Sequence, residues 1–125
     1  MAHILIVEDD EQFRQMLANL LAADQHRVST AADGVQAMDA LKRVRPDLVI
    51  TDILMPNKDG IEFVMDVKRQ LDPPPVIAIS GGRRSISAEF NLKSANLMGV
   101  NAILPKPFGR DDLRRLVQQT LEGVA

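Results

Sequence analysis

The chain has no cysteine, no tryptophan and no tyrosine in 125 residues, and only four phenylalanines. Without cysteine there is no disulfide, no thiol nucleophile and no Cys-based zinc site, and the chain suits a reducing compartment. Without tryptophan or tyrosine there is no ring of those types to stack on nucleobases or on a flavin. No stretch is apolar enough to span a bilayer. The start, Met1-Ala2-His3, lacks the basic segment and cleavage site of a signal peptide. The chain is therefore expected in the cytoplasm, with no membrane partner. The charge is nearly balanced, with 15 basic residues spread along the chain against 17 acidic ones, net −2. That leaves no electrostatic footprint for nucleic acid. Repeats, low-complexity tracts and linkers are also missing, and the length fits a single domain over residues 1–125.

What the sequence does contain is alternation. Short apolar runs at residues 4–7, 27–31, 48–51, 76–79 and 102–104 are separated by longer stretches of helical period, the pattern of a parallel sheet covered by helices. The runs read as strands buried on both faces. Phe13, Met16, Leu17, Leu20 and Leu21 recur at i, i+3, i+4, i+7 and i+8, which predicts a first amphipathic helix with Met16 and, in the next helix, Met38 as core filler. A second helix is expected over 35–44, between Asp33-Gly34 and Pro46. The third should begin after Asp59-Gly60, bury Ile61, Val64, Val67 and Leu71, and stop before Pro73-Pro74-Pro75. Ile86, Phe90, Leu92, Leu97 and Met98 mark a fourth without a clean stripe, and Leu113, Leu116, Val117 and Leu121 mark a fifth. The whole is an α/β sandwich.

Ligands of open parallel sheets bind beyond the carboxyl ends of the strands. Those ends carry Glu8-Asp9-Asp10, then Asp52, then Ser80-Gly81-Gly82, then Pro105-Lys106-Pro107. Acids, a hydroxyl and a lysine converge on one edge. Carboxylates held together repel one another, and a hard divalent cation relieves that. Mg²⁺ suits such an oxygen set and leaves room for a phosphate. Asp9 or Asp10 also suits the N-cap of the first helix. His3 and His26 are too isolated to act as ligands or phosphocarriers, and the arginines at 83, 84, 110, 114 and 115 read as solvent-facing.

Four pieces in this order resemble a response-regulator receiver domain: Val7-Glu8-Asp9-Asp10; Asp52-Ile53-Leu54-Met55-Pro56-Asn57-Lys58-Asp59-Gly60; Ser80; and Lys106-Pro107-Phe108. The resemblance covers the full length. It implies a flavodoxin-like (βα)5 three-layer sandwich with strand order 2-1-3-4-5, and a stand-alone response regulator without an output domain. It implies that Asp52 accepts a phosphoryl group from a sensor histidine kinase or a histidine phosphotransfer protein. Asp9 and Asp52 would bind Mg²⁺ directly, with the Leu54 backbone carbonyl as a further ligand and Glu8 acting through water. Lys106 would pair with the phosphoryl oxygens or Asp52, with the Lys106-Pro107 bond a candidate for cis, and Ser80 would hydrogen-bond the phosphoryl group. The chain would act as a phosphoacceptor signalling protein rather than an enzyme, through a downstream protein partner.

Departures from the family pattern concern the readout. The position of the usual switch aromatic, three before the lysine, is Ile103, and the stretch 80–95 is longer than typical. Leu54 and Gly82, two residues after Asp52 and Ser80, carry no polar group to orient an attacking water, which predicts slow autodephosphorylation. A receiver-like module that binds without phosphorylation, and a metal-dependent phosphatase, are the competing readings. The first leaves the acids and lysine unexplained, and the second lacks a general acid motif.

Overall fold

Side chains alternate across a strand, so an apolar run in a sheet's interior feeds two cores at once. The computed structural model, which describes residues 2–52, 60–80 and 100–123, shows this directly. Five parallel strands, β1 (His3–Val7), β2 (Arg27–Ala31), β3 (Leu48–Asp52), β4 (Val76–Ser80) and β5 (Ala102–Pro105), form one sheet in the order β2-β1-β3-β4-β5. Leu5, Val7, Val49 and Val76 point to one face, where they meet α2 (Gly34–Val44) and α3 (Gly60–Lys68) through Ala37, Ala40, Leu41, Phe63, Val64 and Val67. Ile4, Ile6, Leu48, Ile50, Ile77 and Ile79 point to the other, against Leu17 and Leu21 of α1 (Glu11–Ala23) and Leu113 and Val117 of α4 (Arg110–Leu121). The result is the expected three-layer flavodoxin-like sandwich. The helix labelled α4 is the fifth of the sequence reading; the fourth, and the long stretch after Ser80, lie outside the described residues. Among the described residues no helix is long and apolar enough to cross a membrane.

Three expectations are corrected by topology and by helix ends. The order 2-1-3-4-5 puts β2 and β5 on the edges, so they are not buried on both faces: Arg27, Thr30 and Pro105 are exposed. Pro105 belongs at such an edge, since it has no N–H to donate. Met16 is not core filler; it lies on the rim of the α1 stripe, 41% exposed, while Leu17 and Leu21 take the buried positions. Met38, by contrast, packs against the core. Leu71 does not face the core at all. The helix α3 ends at Lys68, the chain turns with Asp72 at φ +55°, and Leu71 is 99% exposed. Pro73 disfavours helical backbone at Asp72, which turns at positive φ instead, so the helix does not carry on to bury Leu71. Phe63, outside the expected set, fills the core beside Val64 and Val67.

Helix starts follow capping chemistry. Asp33 accepts the Gln36 N–H at 2.8 Å while the Gln36 side chain accepts the Ala32 N–H at 3.1 Å, so α2 begins at Gly34 and leaves Val35 exposed. In α1 the N-cap is Asp10, whose Oδ1 accepts from the N–H groups of Gln12 at 3.0 Å and Phe13 at 3.2 Å.

Candidate functional site

Strand register brings the strand-end residues together. Val7 pairs with Thr51, so Glu8 emerges beside Asp52; Asp52 pairs with Ile79, and Ser80 with Pro105, so Lys106 emerges next in line. The junction of β1 and β3 is where the chain switches its winding direction, the place open α/β sheets leave a crevice. β3, β4 and β5 each run one residue beyond the expected end, which puts Asp52, Ser80 and Pro105 inside the ladder, while β1 starts one residue early at His3.

Glu8, Asp9 and Asp52 each offer a carboxylate oxygen within 4.8 Å of the others. Glu8 is fully buried and Asp52 nearly so, at 6% exposed. Lys106 sends its Nζ to 3.7 Å from both Glu8 Oε1 and Asp52 Oδ2. Asp10 stays out of this cluster, occupied as the α1 cap, and its own N–H donates to Glu8 Oε2 at 3.0 Å. The backbone of Glu8 is fixed from both sides: its N–H donates to the Ala31 carbonyl at 3.0 Å, and its carbonyl accepts from Arg14 Nη1 at 2.8 Å. The Lys106-Pro107 peptide bond is cis. Ile103 lies half-buried in β5, opposite Ala78. Leu54 and the Ser80 side chain lie outside what is described.

Burial pushes the Glu8 carboxyl up to about 8. The Asp10 N–H opposes this, the charge of Asp52 and a hydrogen bond with Asp9 reinforce it, and Lys106 opposes it. Burial and the neighbouring acids thus favour the protonated form of Glu8. Glu8 Oε1 is buried with no hydrogen-bond partner. A buried orphan acceptor is destabilising unless something satisfies it. An all-oxygen cluster with such an orphan fits a hard divalent cation with its waters; no His or Cys enters it.

Sequence reasoning missed two residues that shape the site. Phe13, read only as part of the helix stripe, lies with its ring centroid 4.2 Å from Lys106 Nζ. Arg14 holds the end of β1. Both follow from their spacing, since residues in the first turn of α1 lie just above the β1 end that feeds it. Arg114, expected in solvent, is exposed but tied to Asp24 by two hydrogen bonds at 2.9 and 3.1 Å, and Arg114 holds the Asp24 carboxyl below its usual range.

Comparison with known proteins agrees with this geometry. Residues 4–118 match the family model described as "Response regulator receiver domain". The chain is 34% identical over 121 residues to "Response regulator MprA" of Mycobacterium sp. (strain KMS), covering 94% of this chain and 51% of that protein. It thus spans about half the length of that relative. Among solved structures it resembles the chemotaxis response regulator CheY4 of Vibrio cholerae, with TM-score 0.84, 31% identity, and 96% and 98% of the two chains covered. It also resembles the receiver domain of sensor histidine kinase PA1611 from Pseudomonas aeruginosa PAO1, which has a magnesium ion coordinated in its active-site cleft, with TM-score 0.85, 28% identity, and 97% and 98% covered. The chain belongs to the response regulator receiver domain family of two-component systems.

Proposed function

We propose that this domain takes a phosphoryl group onto Asp52 from a phosphohistidine of a sensor histidine kinase or histidine phosphotransfer protein, in the cytoplasm. An Asp52 carboxylate oxygen attacks phosphorus in line, the new O–P bond forms as the P–N bond breaks, and the imidazole leaves with the electron pair and takes a proton from solvent. The observation that carries this reading is the buried Asp52 carboxylate, clustered with Glu8 and Asp9 and faced by Lys106 Nζ at 3.7 Å. Asp9 and Asp52 would hold Mg²⁺ directly, with the Leu54 carbonyl as a further ligand and Glu8 through a water. Bound there, the ion supplies positive charge to the transferring oxygens. The magnesium in the cleft of the Pseudomonas receiver domain supports the same ion here. Lys106 pairs with the incoming phosphoryl oxygens. Ser80, one register step from Lys106, hydrogen-bonds the phosphoryl group and couples it to the surface that a downstream protein reads, with Ile103 at the position of the usual switch aromatic.

Incubation with acetyl phosphate and Mg²⁺, followed by intact-mass measurement, tests this. Wild type gains one phosphoryl increment, and both Asp52→Asn and wild type with EDTA gain none. An unmodified wild type defeats the proposal. The same assay follows decay. Leu54 and Gly82 offer no polar side chain to orient water, so autodephosphorylation is slow and Leu54→Asn loses phosphate faster. An unchanged decay rate removes that explanation.

A further inference from the structure

The ion pairs of Lys106 are too long to fix its position. At 3.7 Å from Glu8 Oε1 and from Asp52 Oδ2, the ammonium is drawn toward the Asp52 carboxylate but sits beyond hydrogen-bond range of either oxygen. A lysine side chain is flexible, and an ammonium held by attraction alone samples many positions. The third neighbour has a definite shape: the ring of Phe13, with its centroid 4.2 Å from Nζ. An aromatic face carries negative charge density and attracts a cation at this range.

The ring is itself held. Phe13 is the third residue of α1, and its N–H donates to the Oδ1 of the cap residue Asp10 at 3.2 Å. Its ring meets that of Phe108 at 5.8 Å between centroids and 73° between planes, an edge-to-face arrangement worth more than its buried area alone. Phe108 lies two residues beyond Lys106. The cap bond holds the Phe13 backbone and Phe108 braces its ring, so the ring bridges the lysine and the segment that follows it.

We propose that Phe13 is a positioning residue that holds the Lys106 ammonium at the mouth of the Glu8/Asp52 cluster, where an incoming phosphoryl group would meet it. This deepens the proposed function and rests on it. The ring does two things. It limits where Nζ goes, and it shields one side of the ammonium from water, which strengthens the pull of that charge on phosphoryl oxygens.

The decisive variants change the ring's electrostatics while keeping its bulk. Pentafluorophenylalanine at position 13 nearly preserves the shape and reverses the charge of the face; Phe13→Leu removes the ring; Phe13→Tyr keeps it. Phosphorylation by acetyl phosphate with Mg²⁺ is expected to slow about two- to thirty-fold in the first two and to return close to wild type in the Tyr variant. In a Lys106→Met background, slow already, Phe13→Leu causes no further loss. NMR supplies a readout independent of activity: the Lys106 ε-methylene protons show an upfield ring-current shift in wild type that disappears in Phe13→Leu. Equal rates in wild type and the fluorinated variant overturn the proposal. So does a Phe13→Leu loss of the same size in the Lys106→Met background, which would mark Phe13 as packing alone. A wild type that takes up no phosphoryl group at all is a different failure, that of the functional reading, and this positioning role falls with it whatever the NMR shows.

Discussion

Phe63→Ala loses about 3–5 kcal/mol of stability, the range for truncating a fully buried Phe. Phe63 is fully buried among Leu5, Val7, Val49, Val64, Val67 and Val76. It stands in the second turn of α3, and the ring carries much of that helix's attachment to the sheet. Val64 and Val67 are smaller and cannot close over the space it would leave, so a cavity adds to the lost transfer energy. Domains of this size are stable by about 5–15 kcal/mol, so the variant is close to unfolded at physiological temperature. Urea unfolding followed by circular dichroism suits a chain with no Trp or Tyr. The expected result is a large fall in midpoint with little change in slope. As a control, Leu71→Ala changes little, because that side chain is 99% exposed. Comparable losses at both positions would contradict the packing described.

These two residues show where the sequence is legible. Short apolar runs alternating with stretches of period 3.6 separate strands from helices, and β1, β3 and β4, the interior strands, carry the most apolar runs. Edge status is set by strand order, which no local pattern encodes, so β2 and β5 read as more buried than they are. Leu71 continues the apolar spacing of Val64 and Val67, yet the prolines after it decide the backbone, and a spacing rule does not weigh that conflict. Glu8, Asp9, Asp52 and Lys106 are findable because each stands at or just past the end of a strand, and a parallel sheet aligns strand ends. Phe13 is harder. The same side chain serves as a helix-stripe residue and as the neighbour of Lys106, a contact between residues far apart in sequence that no local pattern encodes. The depth of Glu8 is also invisible in sequence, where it reads as one acid of three.

That depth makes the stability of the metal-free protein fall as pH rises. Glu8 has its carboxyl pushed up from 4.5 to about 8, chiefly by burial. Between those values the folded protein keeps a proton that the unfolded chain has released. Stability falls with pH wherever the folded state binds more protons. This group's contribution is therefore greatest below about 4.5, declines through the interval, and is fully lost above 8. Glu8→Gln keeps the shape and stays neutral, so it flattens this decline. At pH 8.5 with EDTA it should exceed wild type by on the order of 2–4 kcal/mol in urea unfolding. At pH 5 the two should nearly coincide. Mg²⁺ reverses the ranking of merit. A cation supplies the charge that the ionised cluster lacks, so wild type gains stability from added Mg²⁺ more strongly at pH 8.5 than at pH 6. The Gln variant is expected to bind the ion about 10–100-fold more weakly by calorimetry, the penalty for altering an outer partner if Glu8 holds the proposed ion through a water. A wild type whose stability in EDTA does not change with pH relative to Glu8→Gln would show that Glu8 is ionised throughout, and that Lys106 outweighs burial in setting its charge.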